Sequence, residues 1–476
     1  MTELKRMIGR IRKVDSIPAD FIERGERIEA LYEKVSGDRD SFLLLSGGDG
    51  DCARYSFIFA DPFLTVQAWG RKIRIEGGAN SIEVYGDPFD VVQEILDRLA
   101  IPGSPSDLPF GAGAVGYFGY DLRYHIEKLP DLLGNDLPLP DLYLIFPRIA
   151  VIYDRRNDEY RLATAEYDPP GNGSCSRPGV MEAFKMRLRS ETAIPPSGVG
   201  SKISSAGPSS SFTRESYMSA VERARDYIRK GDIYQVNLSQ RFSFPFNGSP
   251  YPLFQALFKA NPAAFYAYLN CGDFCVISTS PERFIYRRGD YIETRPIKGT
   301  RPRGTDKAED DAMKRELMGS RKEDAELSMI VDLLRNDLGK ICLPGTVCVK
   351  KHKRIETYQN VFHLVSIIAG RVNSGYTQMD VLKALFPGGS ITGCPKIRAM
   401  EIIEELETVK RGIYTGAIGY VGPDVMNLSI AIRMAAYKDG RIYLSVGGGI
   451  VYSSDPEAEY QETLDKGQTF FDLLKC

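Results

Sequence analysis

The chain predicts an α+β fold, and three observations carry that expectation. Strand-forming runs follow one another with only turn residues between them in both halves of the sequence, helical periodicity falls in separate segments, and the strand–helix alternation of parallel-sheet proteins is absent. Taken in order, residues 18–35 place Phe21, Ile28, Leu31, Tyr32 and Val35 at helical spacing. The runs 42–46, 56–60, 64–69, 72–76 and 81–85, each bounded by turn residues, read as an antiparallel meander. A helix over 88–99 turns Val91, Val92, Ile95, Leu96 and Leu99 toward it. Gly111-Ala112-Gly113-Ala114-Val115-Gly116 matches GxGxxG literally, but Tyr117 and Phe118 continue as strand instead of opening a helix. Close backbone packing within a sheet therefore explains these glycines better than a dinucleotide site.

Strands over 142–153 and 159–167 close a first region, 1–167. A Pro/Gly/Ser-rich connector, 168–212, interrupted by the helix-like MEAFKMRLRSE, separates it from a second region, 213–476. There Thr213 is a candidate cap for a helix carrying Tyr217, Val221, Ala224 and Ile228, and strands follow at 233–244, 265–270, 274–279, 283–288 and 291–297.

With 476 residues, 43% hydrophobic and 26% charged, the composition is that of a soluble globular protein able to bury a large core. A net charge of -2 gives no electrostatic basis for a nucleic-acid or membrane partner, so local basic clusters are expected to serve something small and anionic. No apolar run approaches the roughly 18 residues of a membrane span, and the charged start MTELKRMIGRIRKVDS is unlike a signal peptide, so a cytoplasmic location is expected. The 8 cysteines are scattered without a CxxC pair and only 3 histidines accompany them, which predicts reduced thiols and no zinc site.

Lys298 lies in Pro296-Ile297-Lys298-Gly299-Thr300, among Arg295, Arg301 and Arg303. An electropositive setting of that kind favours the neutral, nucleophilic amine, although the same residues also suit a basic surface turn. In the helical segment 321–340, Leu327, Ile330, Val331, Leu334 and Leu338 form an apolar stripe with Glu326 beside it. On a second helix Glu459, Glu462 and Lys466 share one face. Separately these are ordinary edge acids and an i,i+4 ion pair; together they have the parts of a Mg²⁺ site completed by water and substrate oxygens.

Residues 386–396 lead through a glycine-rich turn into a helix, with Pro395 suited to its first position and its free amides able to receive an anion. The triplet Gly447-Gly448-Gly449 would let backbone amides approach a carboxylate that Arg433 could also grip in bidentate fashion. Each element by itself is also compatible with a tight turn.

These motifs resemble those of the chorismate-utilising enzymes, a family that includes anthranilate synthase component I, aminodeoxychorismate synthase component I, and the isochorismate and salicylate synthases. The resemblance rests on SPERF (280–284), PIKGTRPRG (296–304), AELSMIVDLLRNDLG (325–339), FHLVS (362–366), GGSITGCPKIRAMEIIEELE (388–407), YTGAIGY (414–420), GGGIV (447–451) and DPEAEYQETLDK (455–466). Residues 40–165 also resemble the amino-terminal part of the two aminating members, through LLLSGG (43–48), RYSF (54–57) and GYFGYD (116–121).

The resemblance implies two large, mainly antiparallel sheets packed together with helices outside. It implies that Glu326 and Glu462, with Glu459 nearby, hold Mg²⁺. It implies a chorismate pocket lined by Tyr414, Arg433, Gly447, Gly449 and Lys466, with Ser390 and Thr392 in its glycine-rich wall. His363 matches a pocket histidine, although a lone histidine in a strand is often a satisfied core residue. Gln235 matches the glutamine of the aminating members, where the water-adding members have lysine. Lys298 is similar to the lysine of aminodeoxychorismate synthases, where anthranilate synthases generally have alanine, and Leu327 in place of histidine leans the same way.

The implied activity is amination of chorismate at C4 to 4-amino-4-deoxychorismate, with Glu282 as the acid and Lys298 as a covalent nucleophile. Anthranilate formation is the alternative. Ammonia is expected from a separate glutamine amidotransferase subunit, because no glutaminase motif is present. Cys394 replaces the family's usual alanine, and LLLSGG lacks the glutamate-serine pair of tryptophan-inhibited members. Ser46 remains a candidate for an amino-acid effector pocket.

Overall fold

The computed structural model describes residues 8–78, 80–100, 108–168, 179–190 and 208–474. Cys175, Cys476 and most of the expected connector lie outside them; within the connector's span, Val180–Arg189 is the expected helix. The strands of the described residues join one hydrogen-bonded network of 22 strands, with every pairing antiparallel.

The network has two arms because two long strands, Tyr55–Trp69 and Leu142–Asp154, belong to both. These strands change course where Pro62 stands opposite Pro147, beside a register irregularity and Asp61 at φ 49°. Paired prolines supply no amide donors there, so the ladder loosens and can bend. From one half of this ribbon the first arm runs through Ser41–Leu45, Phe265–Asn270, Phe274–Ser280, Met434–Lys438 and Arg441–Ile450 to Gln235–Pro245. From the other half the second arm runs through Ala114–Phe118, Ala417–Val421, Val425–Ile430, Arg283–Arg288 and Tyr291–Arg295 to Val361–Arg371. The amino-terminal and carboxy-terminal regions are thus interleaved within both arms.

Strand periodicity explains how the arms pack. Phe57 and Phe59 face inward with Val115, Tyr117, Ile418, Tyr420, Leu269 and Val276, which come from both arms, and form the core between the sheets. The alternate residues Ile58 and Ala60 face the helices Ile28–Glu33, Tyr251–Ala260 and Pro456–Leu474, while Ala114, Phe118, Ala417 and Val421 face Pro88–Leu99, Arg321–Gly339 and Gln378–Leu385. Helices therefore cover both outer faces, and each buried Leu, Ile or Phe they contribute is worth roughly 1.5–3 kcal/mol. No helix of the described residues is long and apolar enough to cross a membrane.

Several elements depart from the periodicity reading. The helix expected over 18–35 is only Ile28–Glu33, because Arg10–Pro18 is a strand ending in proline and Gly25 adopts φ 81°. The runs 56–60 and 64–69 are one bent strand rather than two. The expected packing of the GxGxxG glycines holds: a Cβ on Gly116 would lie 2.0 Å from the Tyr143 carbonyl oxygen, and one on Gly113 2.2 Å from that of Val421.

Candidate active site

A cavity of about 740 Å³ opens where the two arms meet the helices Arg321–Gly339 and Pro456–Leu474. Lys298, Glu282, His363, Ser390, Tyr414, Arg433, Gly447, Gly449, Lys466, Glu326, Glu459 and Glu462 all line it.

Lys298 sits in the strand Ile297–Pro302, where the register slips between Lys298 and Thr300. Gly299 makes the slip possible with φ 77°; a Cβ there would lie 2.9 Å from Glu323 Oε2. Such a bulge re-aims the neighbouring side chain, here toward the cavity. Among the described residues the lysine amine has no hydrogen-bond or ion-pair partner. Burial lowers its pKa from the ordinary lysine value; Glu326 opposes that effect and Lys466 adds to it.

The flanking arginines are not the cause expected from the sequence. Arg295 is paired with Glu293 at 2.8 Å and Asp51 at 2.5 Å, Arg301 with Glu316 at 2.8 Å, and Arg303 with Asp310 at 2.5 Å. Each charge is neutralised by an acid, and of the three arginines only Arg301 reaches the cavity wall.

Glu282 is 5% exposed and accepts a 2.6 Å hydrogen bond from Ser390 Oγ. Burial raises its pKa to about 7, against the Ser390 bond and Lys298, so this carboxyl can hold a proton near neutrality. His363 is the reverse case: burial, helped by Arg433, pushes it down to about 3 and keeps it neutral. Its Nδ1 is 2.9 Å from Thr300 Oγ1, while buried Nε2 has no partner, so the ring is half core residue and half site residue.

Arg433 lies just beyond Val425–Ile430, where the strand expected over 428–433 stops, and adopts φ 49°. Thr279 pins this strained backbone by donating its N–H at 3.0 Å and its hydroxyl at 2.9 Å to the Arg433 carbonyl. The guanidinium has no carboxylate partner among the described residues.

Past Ser445 the strand Arg441–Ile450 keeps its pairing with Gln235–Pro245 on one edge only, so Gly447 and Gly449 present backbone to the cavity. Lys466 donates to the Gly447 carbonyl at 2.9 Å. Gln235, 1% exposed, lies against Gly449: a Cβ on that glycine would be 2.5 Å from Gln235 Nε2 and 3.4 Å from Lys298 Nζ. Thr392 does not line the cavity. Its hydroxyl is donated to the Gly388 carbonyl at 3.0 Å, which holds the turn that presents Ser390. The following helix, Lys396–Leu406, has Pro395 at its cap rather than inside, and its first turn is not part of the cavity wall.

Among the described residues no three carboxylate, imidazole or thiol groups converge closely enough to hold a metal unaided. The acids nonetheless fit a cation that also takes water and substrate oxygens. Glu459 accepts from Ser454 at 2.6 Å through one oxygen, while its buried Oε2 has no partner. A Cβ on Gly448 would lie 3.2 Å from that oxygen and 3.4 Å from Glu462 Oε1, so the missing side chain leaves room for both. Burial raises the Glu326 pKa and the nearby Glu323 and Glu462 add to it, a repulsion that a cation would relieve. Glu462 is otherwise paired with Lys466 at 2.6 Å.

Sequence reasoning missed Glu323 and Asn237, both in the cavity wall. Signals for both were present: Glu323 is three residues before Glu326 on one helix face, and Asn237 is two residues from Gln235 on one strand face. Ser46 lies elsewhere, in a second cavity of about 360 Å³ with Asp51, Arg283 and Tyr286. Its hydroxyl is already donated to Tyr55 and Ala264 carbonyls at 2.8 and 2.9 Å.

Residues 43–472 match the chorismate binding enzyme family. The chain belongs to that family. It is 37% identical to anthranilate synthase component 1 of Acetivibrio thermocellus, over 94% of this chain and 92% of the relative. It is also 37% identical to aminodeoxychorismate synthase component 1 of Escherichia coli, over 93% of this chain and 95% of the relative. The crystal structure of anthranilate synthase component I from Streptococcus pneumoniae TIGR4 superimposes with a TM-score of 0.76 at 32% identity, covering 89% of this chain and 93% of that one. This chorismate-utilising chain thus stands among aminating relatives of two kinds.

Proposed function

We propose that this chain aminates chorismate at C4, giving 4-amino-4-deoxychorismate. The reading is carried by Lys298: an amine with no partner among the described residues, its pKa lowered by burial, in one cavity with an acid whose pKa is about 7. Arg433, Lys466 and the amides near Gly447 and Gly449 bind the substrate's carboxylates, and His363 Nε2 offers a neutral hydrogen bond. Glu326, Glu459 and Glu462 would hold Mg²⁺, which when bound would offset the charge of the ring carboxylate.

Neutral Lys298 bonds to C2 through its lone pair, both ring double bonds shift, and the C4 hydroxyl leaves as water with the proton of Glu282. Ammonia then bonds to C4 as the C2–lysine bond breaks, which returns the amine to Lys298. The new C4 ammonium gives its proton to the Glu282 carboxylate, so both groups are restored and the enolpyruvyl ether stays intact. A glutamine amidotransferase chain supplies the ammonia, in keeping with the "component 1" names of the relatives. The second cavity, at Ser46, is read as an amino-acid effector site.

The test incubates the purified chain with chorismate, Mg²⁺ and ammonium at alkaline pH and reads products by mass spectrometry. Aminodeoxychorismate is expected. Anthranilate with pyruvate would select the other relatives' reaction, for which equal identity to anthranilate synthase speaks, and unchanged chorismate would overturn both.

A further inference from the structure

We propose that Tyr120, in the amino-terminal region, is a positioning residue for the reaction: its ring fixes the tilt of Arg411, and Arg411 holds the Ser390 turn against Glu282. The inference rests on Glu282 being the acid of the proposed reaction and adds what keeps that acid's partner in place.

Tyr120 opens the short helical turn Tyr120–His125 and is fully buried. Its hydroxyl has no hydrogen-bond partner among the described residues. Buried tyrosines ordinarily bond that oxygen, and leaving it unbonded is costly, so what this side chain contributes lies in its ring. Two guanidinium groups lie over the ring: Arg123 Cζ is 4.0 Å and Arg411 Cζ 4.8 Å from its centroid. Both are within the roughly 6 Å of a cation–π contact, which is strongest where water is excluded.

The two arginines have different surroundings. Arg123 is bonded to Asp121 and Glu404. Asp121 accepts the Gly412 N–H at 3.0 Å through its other oxygen, and Tyr120 donates its own N–H to the Gly412 carbonyl at 2.7 Å. These bonds clamp Tyr120 to the residue that follows Arg411. Arg411 in turn reaches the cavity wall, donating to the Asn237 carbonyl at 2.7 Å, the Ile391 carbonyl at 3.1 Å and Thr415 Oγ1 at 3.2 Å, while Glu407 accepts from its Nε at 3.0 Å. Asn237, Ile391 and Tyr414, the neighbour of Thr415, line the cavity. Ile391 directly follows Ser390, whose hydroxyl is donated to Glu282.

A guanidinium is flat and its donors point outward in its plane. Each nitrogen of Arg411 is bonded elsewhere, so its face, and not an N–H, meets the Tyr120 ring. Hydrogen bonds in the plane fix where the group sits; an aromatic ring against its face resists tilting. A tilted Arg411 would lengthen its bonds to the Asn237 and Ile391 carbonyls together. It would also loosen the bond from the Asn237 N–H to the Thr392 carbonyl, 2.7 Å, which ties the same strand to the Ser390 turn. Glu282 then loses a fixed Ser390, while Arg433 and Lys466, which stand on other elements, keep their places. The consequence is a slower chemical step with substrate binding preserved.

The test compares Tyr120→Phe, which keeps the ring and drops the unbonded hydroxyl, with Tyr120→Leu, which drops the ring. Steady-state chorismate consumption gives kcat and KM, and amide hydrogen exchange is followed in peptides covering 386–394. Tyr120→Leu is expected to lower kcat about tenfold, the size of a desolvated cation–π contact, with KM for chorismate within about twofold. Exchange in 386–394 should quicken about tenfold, while peptides of the strand Leu142–Asp154 exchange as in the native chain. Tyr120→Phe should keep kcat and exchange within about twofold of native. Native kcat and exchange in Tyr120→Leu, a loss shared equally by Tyr120→Phe, or an effect confined to KM overturns the proposal. If Tyr120→Leu does not fold, a ring-fluorinated phenylalanine at position 120, near-isosteric with phenylalanine but with a depleted π face, takes its place, and rates equal to those of Tyr120→Phe overturn it. Native protein that consumes no chorismate fells the reaction reading and the positioning role together, whereas native consumption with an unaltered Tyr120→Leu fells the positioning role alone.

Discussion

Arg411 and Arg433 are both arginines in the cavity's surroundings, and the chain treats them oppositely. Arg411, its side chain 2% exposed, is fully bonded: to Glu407 at 2.6 Å, to the carbonyls of Asn237 at 2.7 Å and Ile391 at 3.1 Å, and to Thr415 Oγ1 at 3.2 Å. It ties together the strand of Gln235, the turn of Ser390 and the segment after Tyr414. Among the described residues Arg433 has no carboxylate partner, Lys298 has no hydrogen-bond or ion-pair partner, and His363 Nε2 and Glu459 Oε2 have no hydrogen bond. Burial lowers Arg433 from the ordinary arginine value, whereas at Arg411 the same effect is outweighed by Glu407. The fully bonded charges hold the scaffold and the unbonded ones define the site, because an unpaired buried charge persists only where a ligand completes it.

That contrast is broken most severely by losing a reacting group. Lys298→Ala and Glu282→Gln should each lower kcat by about 10²–10⁴-fold while the fold survives, read by product assay and circular dichroism; unchanged rates in the first would remove Lys298 from the chemistry. Next in size, Arg411→Met should destabilise by about 3–5 kcal/mol in denaturant melts, since it leaves Glu407 buried without its partner. Arg433→Met, with no partner to strand, should leave the melt within about 1 kcal/mol of native while raising KM for chorismate; a melt as damaged as that of Arg411→Met would erase the distinction.

Glu282 supplies a pH test. Its pKa of about 7 in the folded chain exceeds the ordinary 4.5, so its contribution to stability is complete below pH 4.5 and lost as pH rises through 7. Glu282→Gln should therefore be more stable than the native chain at pH 8, by on the order of 3 kcal/mol, and the gain should vanish near pH 4. The smallest effect concerns the acids: Mg²⁺ at about 100 times its Kd should stabilise the native chain by about 2.7 kcal/mol, and much less in Glu459→Gln.

Much of the site could be read from local pattern. Glu326 beside its apolar stripe, and Glu459, Glu462 and Lys466 on one helix face, follow from helical geometry alone, and all four line the cavity. Lys298 was also legible, but the reason for its lowered pKa was not: Arg295, Arg301 and Arg303 surround it in sequence and are neutralised by acids the sequence does not place beside them. Thr392 and Ser390 share one turn, and which of them faces the cavity depends on backbone contacts to Gly388. Asn237 was hidden because an amide in a strand has no significance until its partners are known.

By itself the sequence determined the α+β class, the periodicity of many of the strands and helices, and the family motifs, since each depends on neighbours within a few residues; Tyr251–Ala260, Lys307–Gly319, Val361–Arg371 and Gln378–Leu385 were not read from it. Only the tertiary structure decided that two proline-bent strands join both sheets, that both regions interleave, and which buried polar atoms are bonded and which are not. Those outcomes depend on contacts between residues far apart in the chain, and no local pattern encodes them.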